Sequence, residues 1–358
     1  MSAKQHATPT SDTSSFVAEQ NNTSAAPALA EGLIVDGNRG LYRVETPAGT
    51  FLCTIRGRLR KELEYSQSGS APKRVQKATV KVHDPVAVGD RVRLLPMGGG
   101  NGVIEEVVAR AGSGDYTRVD PDKGGGKVRS VAGLDQMIPV FAAAQPAPHL
   151  RMLDRFLVLA EVQRLAIVIC INKVDLGLEP WLAERLDAYR AAGYPLVLTS
   201  TETGEGVEAL RGYLGGRTSA LMGPSGVGKS SLLNALEPEL GLKVSEVSAL
   251  HHKGRHTTTG TRLISLGGPA GGYIADTAGI RALALGDLAE AQLDACFPEF
   301  RPFLGTCRLS DCTHLHEPGC AVRAAVRAGS VDRERYDSYC RLCQDGAGMS
   351  EEEWNDVV

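Results

Sequence analysis

Gly223-Pro224-Ser225-Gly226-Val227-Gly228-Lys229-Ser230 is the stretch from which the central fold can be read. It meets G-x-x-x-x-G-K-[ST] at every fixed position, after the apolar run Thr218 to Met222 and before Ser231-Leu232-Leu233-Asn234-Ala235-Leu236, which is helical in pattern. The glycines of such a loop let backbone N–H groups curl around phosphate oxygens at a helix N-terminus. Lys229 reaches the β- and γ-phosphates, and the Ser230 hydroxyl is a ligand for Mg²⁺. A glycine-rich turn with a purely structural role has no need of lysine followed by serine.

Around this loop, candidate strands alternate with candidate helices. They are strand Met137 to Ala142, helix Leu150 to Gln163, strand Leu165 to Ile171, helix Trp181 to Ala192, strand Leu196 to Ser200, helix Gly206 to Leu214, helix Lys229 to Leu236 and strand Gly272 to Ala275. This alternation predicts βαβ units and a parallel sheet. Asn172-Lys173-Val174-Asp175 follows directly on an apolar strand, so it falls at a carboxyl strand end, where α/β sheets bind ligands. There Asp175 can accept from N1–H and the exocyclic amine of guanine, Asn172 can meet the O6/N7 edge, and Lys173 can lay its stem on the base. Adenine lacks that donor pair, so the aspartate selects GTP over ATP. Ser200, at the end of the following strand, is a further candidate nucleotide contact.

Asp276-Thr277-Ala278-Gly279 ends the last of these strands, as expected for an Asp276 that holds Mg²⁺ through water and a Gly279 whose N–H meets the γ-phosphate. Thr257, Thr258 and Thr259, in the loop from His251 to Gly260, can supply the threonine that orders on Mg²⁺ and γ-phosphate. Taken alone, the first motif is a common turn and the second a solvated polar loop. The order is more telling. A standard GTPase places the phosphate loop first and N-K-x-D last, whereas here Asp175 precedes Gly223 by 48 residues. The domain reads as circularly permuted, which an α/β domain tolerates because its termini usually lie close together.

The chain has 358 residues, enough for two or three domains, with 42% hydrophobic and 23% charged residues, close to globular averages. No apolar run is long enough to span a membrane. Residues 1–31 are rich in Ser, Thr, Ala, Asn and Gln, lack the pattern of a secretory signal, and read as a disordered tail. From 32 to 112, short apolar segments recur between turns: Gly32 to Val35, Leu41 to Val44, Phe51 to Ile55, Ala78 to Val82, Arg91 to Leu95 and Gly102 to Val108. Five or six strands with a basic loop suit a barrel of the OB type; any other small β-barrel or half-sandwich fits the spacing too. The loop from Arg56 to Lys77 carries seven basic residues against two acidic, a local +5 in a chain whose formal charge is -3. Gly112 to Val131 reads as a linker, and the GTPase domain is expected over 113–283.

Beyond Leu283 the pattern is helical, over 284–345, with an acidic tail at 346–358. It is interrupted by Cys307-x4-Cys312-x-His314-x5-Cys320, three thiolates and one imidazole at short spacing, the composition of a closed tetrahedral structural zinc site. Eight cysteines are too few for a disulfide scaffold in a chain of this length, so a reducing cytoplasm fits. Cys340 and Cys343 have no evident partners and read as positions within a polar helix.

Together these features resemble the circularly permuted, small-subunit-dependent GTPases of the RsgA family. The resemblance covers about 32 to 345 and rests on Asn172 to Asp175, on Gly223 to Ser231, on Gly254-Arg255-His256-Thr257-Thr258-Thr259, on Asp276 to Ile280, and on the Cys307/Cys312/His314/Cys320 set. The family usually has proline where Ala278 stands, a change that removes no ligand. The resemblance implies an OB-type barrel, a permuted α/β GTPase domain and a helical zinc domain in that order. It also implies an enzyme that hydrolyses GTP to GDP when stimulated by the small ribosomal subunit, touches its rRNA and assists late subunit maturation; a monomer in the cytoplasm is expected. The alternative is an rRNA-binding module whose nucleotide serves as a gate with little or no hydrolysis. Ile280 occupies the place where Ras-like GTPases have a water-orienting glutamine, so the attacking water needs another host. His256 is one candidate; the ribosome or a potassium ion is the other.

Overall fold

Period-two burial builds the first unit. In the computed structural model, which describes residues 28–38, 40–57, 59, 86–108, 114–119, 127–240, 262–267, 271–275 and 293–345, Tyr42, Val44, Cys53, Ile55, Val92 and Leu94 turn inward. Leu41, Arg43, Leu52 and Thr54 between them face out. The strands β1 (Ala30–Asn38), β2 (Leu41–Thr46), β3 (Gly49–Ile55), β4 (Arg91–Gly98) and β5 (Asn101–Val107) close into a barrel in the order β1-β2-β3-β5-β4. Only β3 and β5 run parallel within it. This is the OB-type barrel, and closure removes every free edge. Its first strand starts at Ala30, ahead of the expected Gly32, and bulges between Ile34 and Asp36. The expected strand Ala78 to Val82 and nearly all of the basic loop lie outside the described residues.

Gly112 to Val131, a linker by composition, instead carries most of an antiparallel pair, β6 (Gly114–Val119) and β7 (Lys127–Leu134). Glycine and charge dominate the segment and hide the β-formers Tyr116, Val119, Val128 and Val131 among them.

The next unit is a sheet in the order β11-β10-β8-β12-β14-β13, with β9 paired beside β8. Its strands are β8 (Gln136–Ala142), β9 (Ala166–Ile167), β10 (Ile169–Asn172), β11 (Leu196–Leu198), β12 (Thr218–Met222), β13 (Leu263–Ser265) and β14 (Tyr273–Ala275). All seven residues of β8 are buried, as a central strand covered on both faces requires. All pairings are parallel except β13 with β14. The apolar run Leu165 to Ile171 divides at Val168 into β9 and β10, both on β8. The helices are α1 (Leu150–Val162), α2 (Pro180–Ala191), α3 (Val207–Leu214) and α4 (Lys229–Leu236).

The last unit holds single-turn segments at Asp294–Cys296 and Pro298–Phe303, then α5 (Ala321–Arg327) and α6 (Arg333–Asp345). Arg335 of α6 is fully buried, yet its guanidinium is matched: Nη1 donates to Asp154 of α1 (2.6 Å) and Nε to Glu299 (2.7 Å). Asp154 also accepts from the hydroxyls of Tyr189 on α2 (2.8 Å) and Ser338 on α6, and the Arg335 guanidinium lies 4.6 Å from the Phe297 ring centre. Also from α6, Tyr336 donates to the His314 carbonyl (2.7 Å) and Tyr339 to the Thr313 carbonyl (2.7 Å). One helix thus joins the cysteine loop to the α/β unit.

Candidate functional site

β12 ends at Met222, and the chain turns through Gly223 to Gly228 into α4. Two glycines are obligatory here. A Cβ on Gly223 would sit 2.0 Å from the Val140 carbonyl oxygen, and one on Gly228, at φ +94°, would sit 2.3 Å from Asn172 Nδ2. Lys229 Nζ donates to the carbonyls of Gly223 (2.6 Å) and Pro224 (2.8 Å), so its ammonium lies inside the curve of the loop. Burial pulls this group down to about 8, which an arriving polyphosphate would reverse by supplying negative charge. Ser230 is buried on the first turn of α4, with Ser231 half-buried beside it.

The base-side motif meets this loop directly. Asn172, fully buried at the end of β10, donates from Nδ2 to the Val227 carbonyl (2.9 Å) and accepts at Oδ1 from Thr199 (3.1 Å). Lys173, in the left-handed region at φ +61°, donates to the Gly226 carbonyl (2.6 Å) and to the Gln145 carbonyl. Val174 is half-buried, and Asp175 stands exposed in the single turn that follows. The Ser200 hydroxyl donates to Asp175 Oδ1 while accepting from the N–H groups of Glu202 (3.2 Å) and Thr203 (3.2 Å), which fixes the carboxylate's bearing. Motifs 48 residues apart and in reversed order are therefore hydrogen-bonded into one site. His256, Thr257, Thr258, Thr259, Asp276 and Gly279 lie outside the described residues, as do Ala278 and Ile280.

The second site is the cysteine loop. One donor atom from each of Cys307, Cys312, His314 and Cys320 lies within 4.8 Å of the others. His314 Nδ1 is 3.5 Å from Cys307 Sγ and 3.4 Å from Cys320 Sγ, while its Nε2 faces Asp294 Oδ2 at 3.3 Å. A tetrahedron with Zn–S near 2.3 Å has S···S edges of about 3.8 Å, so the cage has the right size, and the carboxylate behind the histidine is the usual outer support. Burial pushes the Cys312 thiol up to about 12, with the Cys307 and Cys320 sulfurs adding to the rise. Thiolates gathered here therefore call for a cation among them. Glu317 shapes the loop, accepting from the N–H groups of Thr313 (2.8 Å), Leu315 (3.1 Å) and His316 (3.1 Å). Cys340 and Cys343 sit half-buried within α6, as the sequence suggests, and His316 is exposed.

Three functional positions escape a reading of the sequence. Thr199 orients Asn172, and only its place beside Ser200 hints at it. Gln145 acts through its carbonyl, which no side-chain motif reports. Asp294 stands 20 residues from His314 with no characteristic spacing.

A parallel sheet carrying a phosphate loop after β12 and a guanine motif after β10, in inverted chain order, defines a circularly permuted P-loop GTPase. The model of the RsgA GTPase family matches residues 118–286. The small ribosomal subunit biogenesis GTPase RsgA of Gemmatimonas aurantiaca is 45% identical over 323 residues, covering 89% of this chain and 98% of its own; its counterpart in Moorella thermoacetica is 40% identical over 309, covering 86% and 94%. Among solved structures, YjeQ from Thermotoga maritima has a TM-score of 0.67 at 33% identity, covering 90% of this chain and all of its own. YloQ, titled a circularly permuted GTPase, has 0.64 at 29%, covering 89% and 95%. The chain belongs to the RsgA family and is a GTP hydrolase. No helix among the described residues is long and apolar enough to cross a membrane.

Proposed function

We propose that this enzyme acts on the small ribosomal subunit, hydrolysing GTP when the subunit stimulates it, and that it serves late subunit maturation in the cytoplasm as a monomer. The observation that carries the nucleotide part is the hydrogen bond from Asn172 to the Val227 carbonyl, which locks the base-reading motif onto the phosphate loop. Two of the relatives that share most of its length are named for small-subunit biogenesis.

In this reading Asp175, aimed by Ser200, takes the two guanine donors, with Asn172, Lys173 and Val174 around the base. The N–H groups from Gly223 to Ser231 and the Lys229 ammonium hold the phosphates. Mg²⁺ arrives with GTP, neutralises phosphate charge and is held by Ser230 and Asp276. Thr257, Thr258 or Thr259, with Gly279, meets the γ-phosphate, and His256 is the candidate for orienting water. Cys307, Cys312, His314 and Cys320 hold one Zn²⁺, which gives the cysteine loop its fold and leaves no position open for chemistry. The barrel, its basic Arg56 to Lys77 loop and the cysteine unit contact rRNA. Residues 32–112, 113–283 and 284–345 serve as the three domains.

The test is multiple-turnover phosphate release with and without purified small subunits, alongside co-sedimentation with a non-hydrolysable GTP analogue. Stimulated release and co-sedimentation with the small subunit alone support the reading. Release unaffected by subunits, with nucleotide-gated binding retained, would favour the rRNA-binding module instead.

A further inference from the structure

The barrel is held at two places, one on the β6–β7 pair and one on the edge of the GTPase sheet. One is backbone to backbone: the Ala132 N–H of β7 donates to the Val88 carbonyl (2.8 Å), anchoring the turn ahead of β4. The other involves the antiparallel ribbon β13–β14 at the edge of the sheet. Asp36, at the β1 bulge, forms an antiparallel bridge with Arg262, the residue before β13. The Tyr273 hydroxyl at the start of β14 donates to Glu45 Oε2 of β2 at 3.0 Å, across 228 residues of sequence. Bulges commonly re-aim a strand towards what it must touch.

The location of these contacts is informative. β13 continues the chain from the loop that holds Thr257 to Thr259, and β14 ends one residue before Asp276. The barrel therefore touches both strands that lead to γ-phosphate candidates. β14 has only three residues, so Tyr273 lies about 7 Å from Ala275 at about 3.3 Å per residue, and Asp276 is the next residue in sequence. β14 is hydrogen-bonded on both sides, by β12 and β13, so it shares one ladder with the strand that follows the threonine loop. Burial, with Glu45 adding, pushes the Tyr273 hydroxyl up to about 12. It keeps its proton and donates throughout the physiological range.

We propose that the Glu45–Tyr273 hydrogen bond is a positioning contact that couples the barrel's hold on its partner to the presence of the γ-phosphate. This rests on the reading of the protein as a subunit-dependent GTPase. Coupling between sites is reciprocal in binding, so a nucleotide that changes the grip on the subunit is itself held differently by the subunit-bound enzyme.

The experiment uses the full-length chain with Tyr273→Phe, which keeps the ring and removes the donor, Glu45→Leu, which keeps much of the bulk and removes the acceptor, and the double variant. Equilibrium affinity for purified small subunits is measured with a non-hydrolysable GTP analogue and with GDP. The expected result is that each single variant shrinks the ratio of the two affinities by about fivefold or more, the lower end of ordinary allosteric coupling. The double variant loses nothing further, and nucleotide affinity and basal hydrolysis without subunits stay at the wild-type level. An unchanged ratio in both single variants overturns the proposal. So does equal weakening in both nucleotide states, the mark of a static contact. If the wild-type protein fails to bind small subunits at all, the functional reading itself falls, a result separable from either of these.

Discussion

Replacing Arg335 by methionine should release α6 from the α/β unit. The substitution keeps much of the stem's bulk and removes the guanidinium that reaches both Asp154, 2% exposed, and Glu299. Removing one partner from a buried, hydrogen-bonded ion pair costs about 3–5 kcal/mol, because the surviving carboxylates stay buried without their cation. Asp154 would keep two hydroxyl donors, Tyr189 and Ser338, which places the expected loss toward the lower end. At about 1.4 kcal/mol per factor of ten, local opening of α6 should become roughly a hundredfold more frequent or more. Hydrogen exchange of the α6 amides, compared with those of the buried strand β8, reads this directly. Arg335→Lys retains the charge but not the fork of donors, and should fall between the two. A change in α6 opening below about fivefold in Arg335→Met would refute the argument and reduce the cluster to a packing feature.

Without nucleotide, stability should rise with pH from about 8 toward the unfolded lysine value near 10.4, because the depressed Lys229 value leaves the unfolded chain binding more protons there. Urea unfolding across that window should lose this increment in Lys229→Met, which should also lose hydrolysis while folding normally. Asp175→Asn should weaken use of GTP and gain use of xanthosine triphosphate in steady-state assays, and equal GTP affinity would remove Asp175 from base recognition. Gly228→Ala should displace Asn172 from the Val227 carbonyl, since its Cβ would lie 2.3 Å from Nδ2, and lower nucleotide affinity by at least about tenfold, the scale of losing a hydrogen bond in a strained turn. Elemental analysis should find one zinc per chain, and Cys320→Ser should lower that content together with protection of the Thr313 to Glu317 amides.

The readable parts of this protein are those whose chemistry is local in sequence. The loop from Gly223 to Ser230 and the tetrapeptide at Asn172 each fit on one strand end, so residue type and spacing suffice, and the cage from Cys307 to Cys320 closes within 14 residues. Short apolar segments between turns likewise announced the five described barrel strands. What stayed hidden is non-local or too short. β13 has three residues, too few for any period to register. The sequence around Arg335 in α6 is polar enough to read as a solvated face, and nothing in it signals carboxylates 36 and 181 residues away. Thr199 and Asp294 serve by orienting other side chains, a role that depends on where strands and turns come to rest.

The pairing of Arg335 with Asp154 also sets a timetable for the nascent chain. Synthesis proceeds at roughly 5–20 residues per second, and 181 residues separate the two partners, so Asp154 leaves the ribosome roughly 10–40 s before its cation exists. During that interval α1 can lie on β8 through Phe156 and Phe141, but its carboxylate has only Tyr189 to meet it. The permuted order also reverses which half of the nucleotide site waits, since the base-reading motif emerges before the phosphate loop. The translating ribosome therefore exposes a half-assembled GTPase in which α6 completes both the buried ion cluster and the support of the cysteine loop at nearly the same moment.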